Sequence, residues 1–261
     1  MIAALGMYDF GPAMAANDQL WALIRDHLRA AGHEAPDDLT RGETAYWQAW
    51  EAPDLLLSQT CGYPFRARLH GNVTYVGTPD YDIDGCPPGH YNSVFVTRKD
   101  DPRQTLADYA HAAFAYNEAL SQSGWAAPQT HARALGLHLP PALATGGHLA
   151  SARAVADGHA DIAALDGVTW ALMQDSDPMG AMLKPICRTA PTPGLPIITA
   201  KGTDPAPLFD AFAAAIAALP PADRTTLHIK GITRIPLAAY LSVPNPPSPD
   251  QIAQAHSRAG R

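Results

Sequence analysis

The sequence has no hydrophobic run of the roughly 20 residues that a membrane-spanning helix needs, and it has no run of lysine or arginine. The first absence excludes direct insertion into a membrane. The second, together with a formal net charge of −7, excludes a nucleic-acid-binding surface. Only three cysteines are present, so the chain is not a small protein held together by disulfides, and their spacing matches no zinc-ligand pattern.

The short motifs that mark many enzyme classes are also missing. The chain contains no Gly-x-Ser-x-Gly nucleophile turn, no phosphate-binding P-loop and no His-Glu-x-x-His pair. Its 11 histidines never occur four residues apart, so we expect neither a metal site nor a bound cofactor. Catalysis as such is not excluded by these absences, because some enzyme classes, lyases among them, lack a short signature.

Apolar stretches of the strand type alternate along the chain with stretches of helical period, which predicts an α/β protein with mixed sheets flanked by helices. The pattern predicts two lobes, one formed by residues 1–97 plus 198–261 and the other by the inserted residues 98–197. Residues 111–116 are predicted as a strand that leads into a helix. The proline-rich tail from Pro244 onward is predicted to be extended or frayed.

The chain begins directly with a short apolar segment, Met1 to Met7, which predicts a first buried strand. No basic segment of the kind that opens a signal peptide precedes it. Two interpretations remain open: a cytoplasmic protein, or an exported protein whose signal lies outside this sequence.

Small polar residues stand where several predicted strands lead into helices. Helix N-termini expose unpaired N–H groups and carry a partial positive charge, so such turns can bind a phosphate, phosphonate, sulfonate or carboxylate without lysine. Ordinary N-capping by serine and threonine is the alternative interpretation. The three turns are Ser58 to Tyr63, Ser121 to Gly124 and Thr145 to His148.

Individual residues near these turns allow two interpretations each. His148 is able to donate a hydrogen bond to an anion, or it is a surface histidine in the first turn of a helix. Asp166 follows a predicted strand and is either a ligand contact or the cap of the next helix. Tyr8 and Tyr63 lie in predicted loops, where each offers a ring wall for a ligand or ordinary packing.

The ordered series of motifs resembles the phosphate/phosphite/phosphonate substrate-binding proteins of ABC importers. The resemblance runs over most of residues 1–200, and the order of the elements is more specific than any one of them. It implies a type 2 periplasmic-binding-protein fold with two lobes, a hinge and a ligand cleft. The matching segments are Leu55 to Pro64, Gly85-Cys86, Tyr91 to Ser93, Ser121 to Gly124, Thr145 to Ser151 and Ala160 to Asp166.

Transferred onto this sequence, the resemblance implies a receptor that binds a small oxyanion compound, is not an enzyme and docks on an ABC permease. The periplasm is the compartment that it implies. Where relatives have Ser-Thr-Ser in the anion loop, this chain has Ser-Gln-Ser. The residues implied to bind the ligand are Tyr8, Tyr63, Ser121, Gln122, Ser123, Gly124, His148 and Asp166. Cys61 and Cys86 lie in matched loops, and we expect them to pair in an oxidising compartment; three unpaired thiols are the alternative interpretation.

Two other function classes remain open. Cytoplasmic lyases of the alternative menaquinone pathway resemble the same fold, and in such an enzyme the anion loop would hold a substrate carboxylate with Glu118 or Asp166 as the base. A cytoplasmic ligand sensor with a protein partner is the other alternative.

Overall fold

The structure is a computed structural model that describes residues 1–259, with side chains described up to residue 255. Strands and helices are interspersed along the described residues, which confirms the predicted α/β class. The strands are β1 (Ile2–Ala4), β2 (Leu55–Gln59), β3 (Val73–Asp80), β4 (His90–Tyr91), β5 (Ser93–Arg98), β6 (Phe114–Tyr116), β7 (Pro141–Ala144), β8 (Ile162–Asp166), β9 (Leu183–Arg188), β10 (Thr192–Pro193), β11 (Ile197–Ala200) and β12 (Gly231–Thr233).

The helices are mostly short. The α-helices are α1 (Ala13–Ala30), α2 (Trp47–Trp50), α3 (Gly62–Pro64), α4 (Ala127–Ala134), α5 (His148–Ala156), α6 (Gly167–Ser176), α7 (Ala206–Ala218), α8 (Pro221–Thr226), α9 (Leu237–Leu241) and α10 (Pro249–Ala259). Two π-helical turns, Phe65–Leu69 and Gln122–Ala126, continue α3 and precede α4. No helix in the described part of the chain is long and apolar enough to cross a membrane.

The chain divides into two compact units. Unit 1 comprises Met1–Tyr91 and Thr192–Ser242, and its five-stranded sheet has the order β1-β2-β11-β3-β12. Strands β1 and β2 are parallel, and the other pairs are antiparallel. The apolar face of α1 packs with α7 in the core on this sheet, because Leu20, Ile24 and Leu28 recur at helical spacing. Strands β4 and β10 form a separate antiparallel pair within unit 1.

Unit 2 comprises Asn92–Pro191 together with the chain from Val243 onward. Its five-stranded sheet has the order β7-β6-β8-β5-β9. Strand β6 pairs parallel with both β7 and β8, whereas β5 pairs antiparallel with both β8 and β9. The carboxyl ends of β6 and β8 therefore point the same way, and polar residues that follow these strands lie at the same edge of the sheet.

The boundaries of the units differ from those expected from the sequence. The sequence pattern predicts crossings after residues 97 and 197, whereas the compact units change at Tyr91/Asn92 and Pro191/Thr192. The tail is grouped with unit 2, although it is predicted as part of the lobe that contains the N-terminus. The side-chain N–H of Trp125 donates to the carbonyl of Pro247 at 3.1 Å, which ties the tail to unit 2.

The prediction of an extended or frayed tail is wrong for residues 249–259, which form α10. Ser248 and Gln251 cap this helix reciprocally. The Gln251 N–H donates to Ser248 Oγ at 3.3 Å, and the Ser248 N–H donates to Gln251 Oε1 at 2.8 Å. Serine followed three residues later by glutamine forms a capping box, and the proline between them lies in the first turn. This combination marks the start of a helix. The prediction of an extended tail was based on proline content alone.

The strand predicted over residues 111–116 is shorter than expected. Only Phe114–Tyr116 pair in the sheet, because His111 has a positive φ of 74° and begins a turn rather than extended backbone. The strand that remains ends immediately before Asn117, which places the polar segment 117–124 at the sheet edge.

Candidate oxyanion-binding site

The segment from Ser121 to Gly124 forms a tight helical turn whose side chains are buried. Ser121 is the N-cap of the π-helical turn Gln122–Ala126, and its Oγ accepts the Gly124 N–H at 2.9 Å. Its own hydroxyl proton remains available for donation. Gln122 and Ser123 are each 2% exposed. The capping interpretation is thus observed for this turn, and it does not exclude anion binding, because a cap that accepts one hydrogen bond still has a proton to donate.

With Asn117 in its observed orientation, residue 124 has no room for a side chain. A Cβ atom at residue 124 would lie 1.8 Å from Asn117 Oδ1 and 2.8 Å from Asn117 Cγ. The backbone carbonyl of Asn117 accepts the Gly146 N–H at 2.9 Å. Asn117 therefore joins two of the three turns singled out in the sequence, the one at residues 121–124 and the one at residues 145–148.

His148 is the first residue of α5, directly after Gly147, and is half-buried. Its Nε2 atom lies 2.9 Å from Ser123 Oγ and 3.5 Å from Asn117 Nδ2. Burial lowers the pKa of the imidazole to about 4, although the Ala164 carbonyl favours its protonated form. The ring is therefore neutral at pH 7. We call Asn117, Ser121, Ser123 and His148 the oxyanion cluster.

Two of the predicted site residues of unit 2, Gln122 and Asp166, are not members of the oxyanion cluster. Asp166 ends β8, and its Oδ1 accepts the N–H groups of Val168 at 2.8 Å and Thr169 at 3.2 Å. The capping interpretation of Asp166 is thus observed, and its contact with a ligand stays a prediction. Gln122 is buried one residue after the N-cap of the turn, and its ligand role also stays a prediction.

Tyr8 and Tyr63 belong to unit 1 and are both buried. Tyr8 lies in a 3-10 turn with its ring edge-on to Tyr81 at 5.0 Å. Tyr63 lies in α3, where the guanidinium carbon of Arg66 stands 4.4 Å from the centre of its ring. Each ring takes part in local packing. Their roles as walls for a ligand stay predictions.

Cys61 is buried before α3, and Cys86 is half-buried in the loop between β3 and β4. Their pairing stays a prediction, which mass spectrometry of oxidised, non-reduced protein tests. Among the described residues, no group of three or more histidine, cysteine or acidic side chains is arranged to hold a metal ion.

Sequence reasoning passed over Asn117 as a site residue. The available signal is positional: Asn117 follows β6 in the same way that Asp166 ends β8, and β6 and β8 are parallel neighbours in the sheet. A polar residue at the carboxyl end of such a strand is a common ligand contact in α/β proteins. Arg66 was also passed over, although it lies one helical turn after Tyr63.

Residues 48–239 match the family described as the phosphonate-binding periplasmic substrate-binding proteins of ABC transporters. The chain belongs to this family. The resemblance seen in the sequence is thereby confirmed, and as a member the protein is a solute-binding receptor for an ABC importer. The family is periplasmic, and its members bind small ligands and work with ABC permeases. Among curated proteins, none matches the chain in sequence.

Solved structures of this family and of other binding proteins share the fold. PhnD1 from Prochlorococcus marinus, in complex with methylphosphonate, is 17% identical with a TM-score of 0.69 and 98% of each chain covered. A binding-protein component of a phosphonate ABC transporter from Pseudomonas aeruginosa is 13% identical with a TM-score of 0.67, covering 99% of this chain and 87% of its own. MatC from Rhodopseudomonas palustris, with bound malate, is 16% identical with a TM-score of 0.60, covering 99% and 95%. The predicted fold class of two-lobed periplasmic binding proteins is confirmed.

Proposed function

We propose that this binding protein takes a phosphonate, phosphite or phosphate-like oxyanion as its ligand, held by the oxyanion cluster of unit 2. The protein then delivers the ligand to an ABC permease from the periplasm and carries out no chemistry on it. The observation that carries the proposal is the convergence of the Ser123 hydroxyl and the Asn117 amide on His148 Nε2, at 2.9 Å and 3.5 Å respectively. The methylphosphonate complex of PhnD1 supports the choice of ligand class.

The cluster binds through neutral groups. The serine hydroxyls and the Asn117 amide are uncharged, and the ring of the half-buried His148, whose Nδ1 is buried, is neutral at pH 7. Hydrogen-bond donors in a site shielded from water stabilise an anion more strongly than the same groups do in bulk solvent. A single negative charge on a compact tetrahedral ligand suits such a site.

A serine beside a histidine also resembles a nucleophile with its general base. In hydrolases of that kind a carboxylate orients the other ring nitrogen and stabilises the imidazolium. In this protein the influences on the His148 pKa are burial and the Ala164 carbonyl, and burial dominates. A ring whose pKa lies near 4 is a weak base, so the pair favours binding over catalysis.

A thermal-shift screen with methylphosphonate, phosphite, phosphate, methanesulfonate and small carboxylates tests the proposal. A ligand present at 100 times its dissociation constant stabilises the protein by about 2.7 kcal/mol, which raises the melting temperature by a few degrees. Ser123→Ala should remove this shift for the oxyanion that binds the parent protein.

Ser242→Ala is the matched control, because Ser242 is exposed and its hydroxyl donates to the Ala239 carbonyl in unit 1. This variant should keep the full ligand-induced shift. A Ser123→Ala variant that responds to the ligand as strongly as the parent protein would contradict the assignment of the site.

A further inference from the structure

The Asn117 carboxamide has a defined orientation, which fixes the hydrogen-bonding character of its neighbour. Its oxygen lies close to where the Cβ atom of any other residue at position 124 would stand, next to the Cα–H group of Gly124. A carbonyl oxygen beside a Cα–H is weakly favourable, whereas an amide N–H there would oppose another hydrogen. The amide nitrogen is therefore the atom that faces His148 Nε2, at 3.5 Å.

An amide nitrogen only donates, so the His148 nitrogen that it faces is an acceptor. Ser123 Oγ lies 2.9 Å from the same Nε2 and is also able to donate to it. The proton of the neutral ring is then on Nδ1, which is buried without a hydrogen-bond partner within range among the described residues, and the Ala164 carbonyl acts on the ring as an electrostatic influence that favours protonation. The Nε2 atom of His148 therefore offers a lone pair, whereas the other groups of the oxyanion cluster are able to donate hydrogen bonds.

Charged groups on the elements around α5 are directed to other partners. Asp166 on β8 caps α6, and Arg188 on β9 donates to Asn92 Oδ1 at 2.9 Å. Lys184 on β9 donates to the Asp101 carbonyl, and Arg98 on β5 lies 3.8 Å from the Asp101 carboxylate. On α5 itself, Arg153 is exposed. Neither acidic nor basic groups are among the influences on the His148 pKa in the described chain.

A fully deprotonated oxyanion would place a bare oxygen against the lone pair of Nε2, which is repulsive. A ligand that keeps one proton removes this conflict, because its O–H replaces the Ser123 hydroxyl as the donor to Nε2. The Ser123 hydroxyl then turns to the ligand and, with Ser121, donates to its remaining oxygens. We propose that the cluster selects oxyanions in their singly protonated form, with His148 Nε2 as the acceptor of the ligand proton and Asn117 as the positioning residue that keeps Nε2 an acceptor. This inference rests on the proposed function of the same cluster.

Methylphosphonate and methanesulfonate form the matched pair of probes, since both are tetrahedral monoanions and only the former carries a proton. We expect calorimetry at pH 6 to show methylphosphonate binding at least about 100-fold more tightly, because a site that hydrogen-bonds a ligand O–H strongly rejects an analogue without it. Above the second pKa of methylphosphonate, its apparent affinity should fall about tenfold per pH unit, because the monoanion is depleted.

Three outcomes of this comparison are distinct. Discrimination with the pH dependence supports the inference. Methanesulfonate binding within a few-fold of methylphosphonate, or a methylphosphonate affinity that is unchanged above its second pKa, overturns the inference and leaves the proposed function standing. Binding of none of the oxyanions in the screen overturns the proposed function itself.

Asn117→Asp tests the positioning role. A carboxylate facing Nε2 draws a proton onto that atom and turns the acceptor into a donor, so the preference for methylphosphonate over methanesulfonate should shrink to less than about tenfold. The added negative charge should also weaken both ligands. Asn72→Asp is the control, because Asn72 is an exposed asparagine of unit 1 whose amide donates to the Arg68 carbonyl at 3.2 Å. A preference that is unchanged in Asn117→Asp would overturn the role of Asn117.

Discussion

The two units carry sheets of equal strand number but are cross-linked by different chemistry. In unit 1, buried hydroxyls join Tyr75 to Thr78 at 2.8 Å and Thr78 to Tyr240 at 2.5 Å, and Tyr240 donates to the Gly194 carbonyl at 2.9 Å. In unit 2, Arg103 bridges the carboxylates of Asp101 and Asp161 at 2.6 and 2.7 Å. Phenols stay neutral across the physiological pH range, whereas the carboxylates of unit 2 must stay ionised.

This difference also bears on the proposed anion binding by the uncharged cluster of unit 2. Its carboxylates at Asp101 and Asp161 are paired with Arg103, and Asp166 is used as a helix cap. These three carboxylates therefore have structural partners, whereas the oxyanion cluster is composed of hydroxyl, amide and neutral imidazole groups. In the proposed site, hydrogen-bonding groups that carry no net charge would therefore hold the anion.

The largest effect should follow from Asp101→Ala in unit 2. Asp101 is buried, whereas Arg103 is partly exposed, so the arginine left behind is able to turn towards water. We expect a loss of about 2 to 3 kcal/mol in the free energy of unfolding, below the value for a fully buried pair. Urea denaturation followed by tryptophan fluorescence measures it. Glu51→Ala, which removes an exposed partner of Arg68, should change stability by less than about 0.5 kcal/mol.

The same variant sharpens the comparison through its pH dependence. Arg103 holds the pKa of Asp101 well below its ordinary value, chiefly through a hydrogen bond. The stability from this pair is therefore fully present above about pH 4, where an unfolded aspartate is ionised, and is lost as the pH falls towards the lower pKa of the folded state. Asp101→Ala should lose less stability than the parent protein between pH 4 and pH 2. Parallel acid profiles for the two proteins would contradict this account.

An intermediate effect should follow from Gly124→Ala in unit 2. The added Cβ would lie 1.8 Å from Asn117 Oδ1, so either the Asn117 carboxamide turns away or the turn shifts, at a cost of up to about 2 kcal/mol. Asn117→Ala removes the colliding atoms, and the double variant should recover most of the loss that Gly124→Ala causes. A double-mutant cycle of unfolding free energies measures this coupling. Strictly additive losses would show that the two side chains do not meet.

The smallest effect should come from Tyr240→Phe in unit 1. The change removes one buried hydroxyl, while Thr78 keeps its contact with Tyr75, so we expect a loss of about 1 kcal/mol. The loss should be equal at pH 4 and pH 8, because burial raises the pKa of Tyr240 far above this range. If the loss of stability in Tyr240→Phe differed between pH 4 and pH 8, the hydroxyl contacts of unit 1 would not be independent of pH, and the contrast with the carboxylates of unit 2 would be wrong.

Much of the fold was predictable because the apolar period is regular. Leu20, Ile24 and Leu28 mark α1, and the run that ends at Asp166 marks β8, since both patterns follow directly from burial of one face or of a whole strand. The helix at Pro249–Ala259 escaped prediction because proline content outweighed the capping signal of Ser248 and Gln251. The π-helical turn at Gln122–Ala126 has no sequence signature of its own.

The site was predictable in part for the same reason. Serines and glycines at a strand-to-helix turn indicate an anion site, so Ser121, Ser123 and Gly124 are predicted from the sequence as ligand residues, a role that stays a prediction. Asn117 is not, because its role depends on which way its carboxamide turns, and that is decided by the absence of a side chain at residue 124. Contacts of this kind arise from folding and not from local pattern.

The central claim is that a neutral His148 beside Ser123 and Asn117 receives the oxyanion. Nitrogen NMR of histidine-labelled protein tests it most directly, because the shifts of Nδ1 and Nε2 report which nitrogen is protonated. The account predicts an Nδ1-protonated neutral ring in the unliganded protein at pH 7 and a large change at Nε2 on addition of methylphosphonate. A ring already protonated at Nε2 at pH 7, or an Nε2 signal that does not respond to saturating ligand, would contradict it.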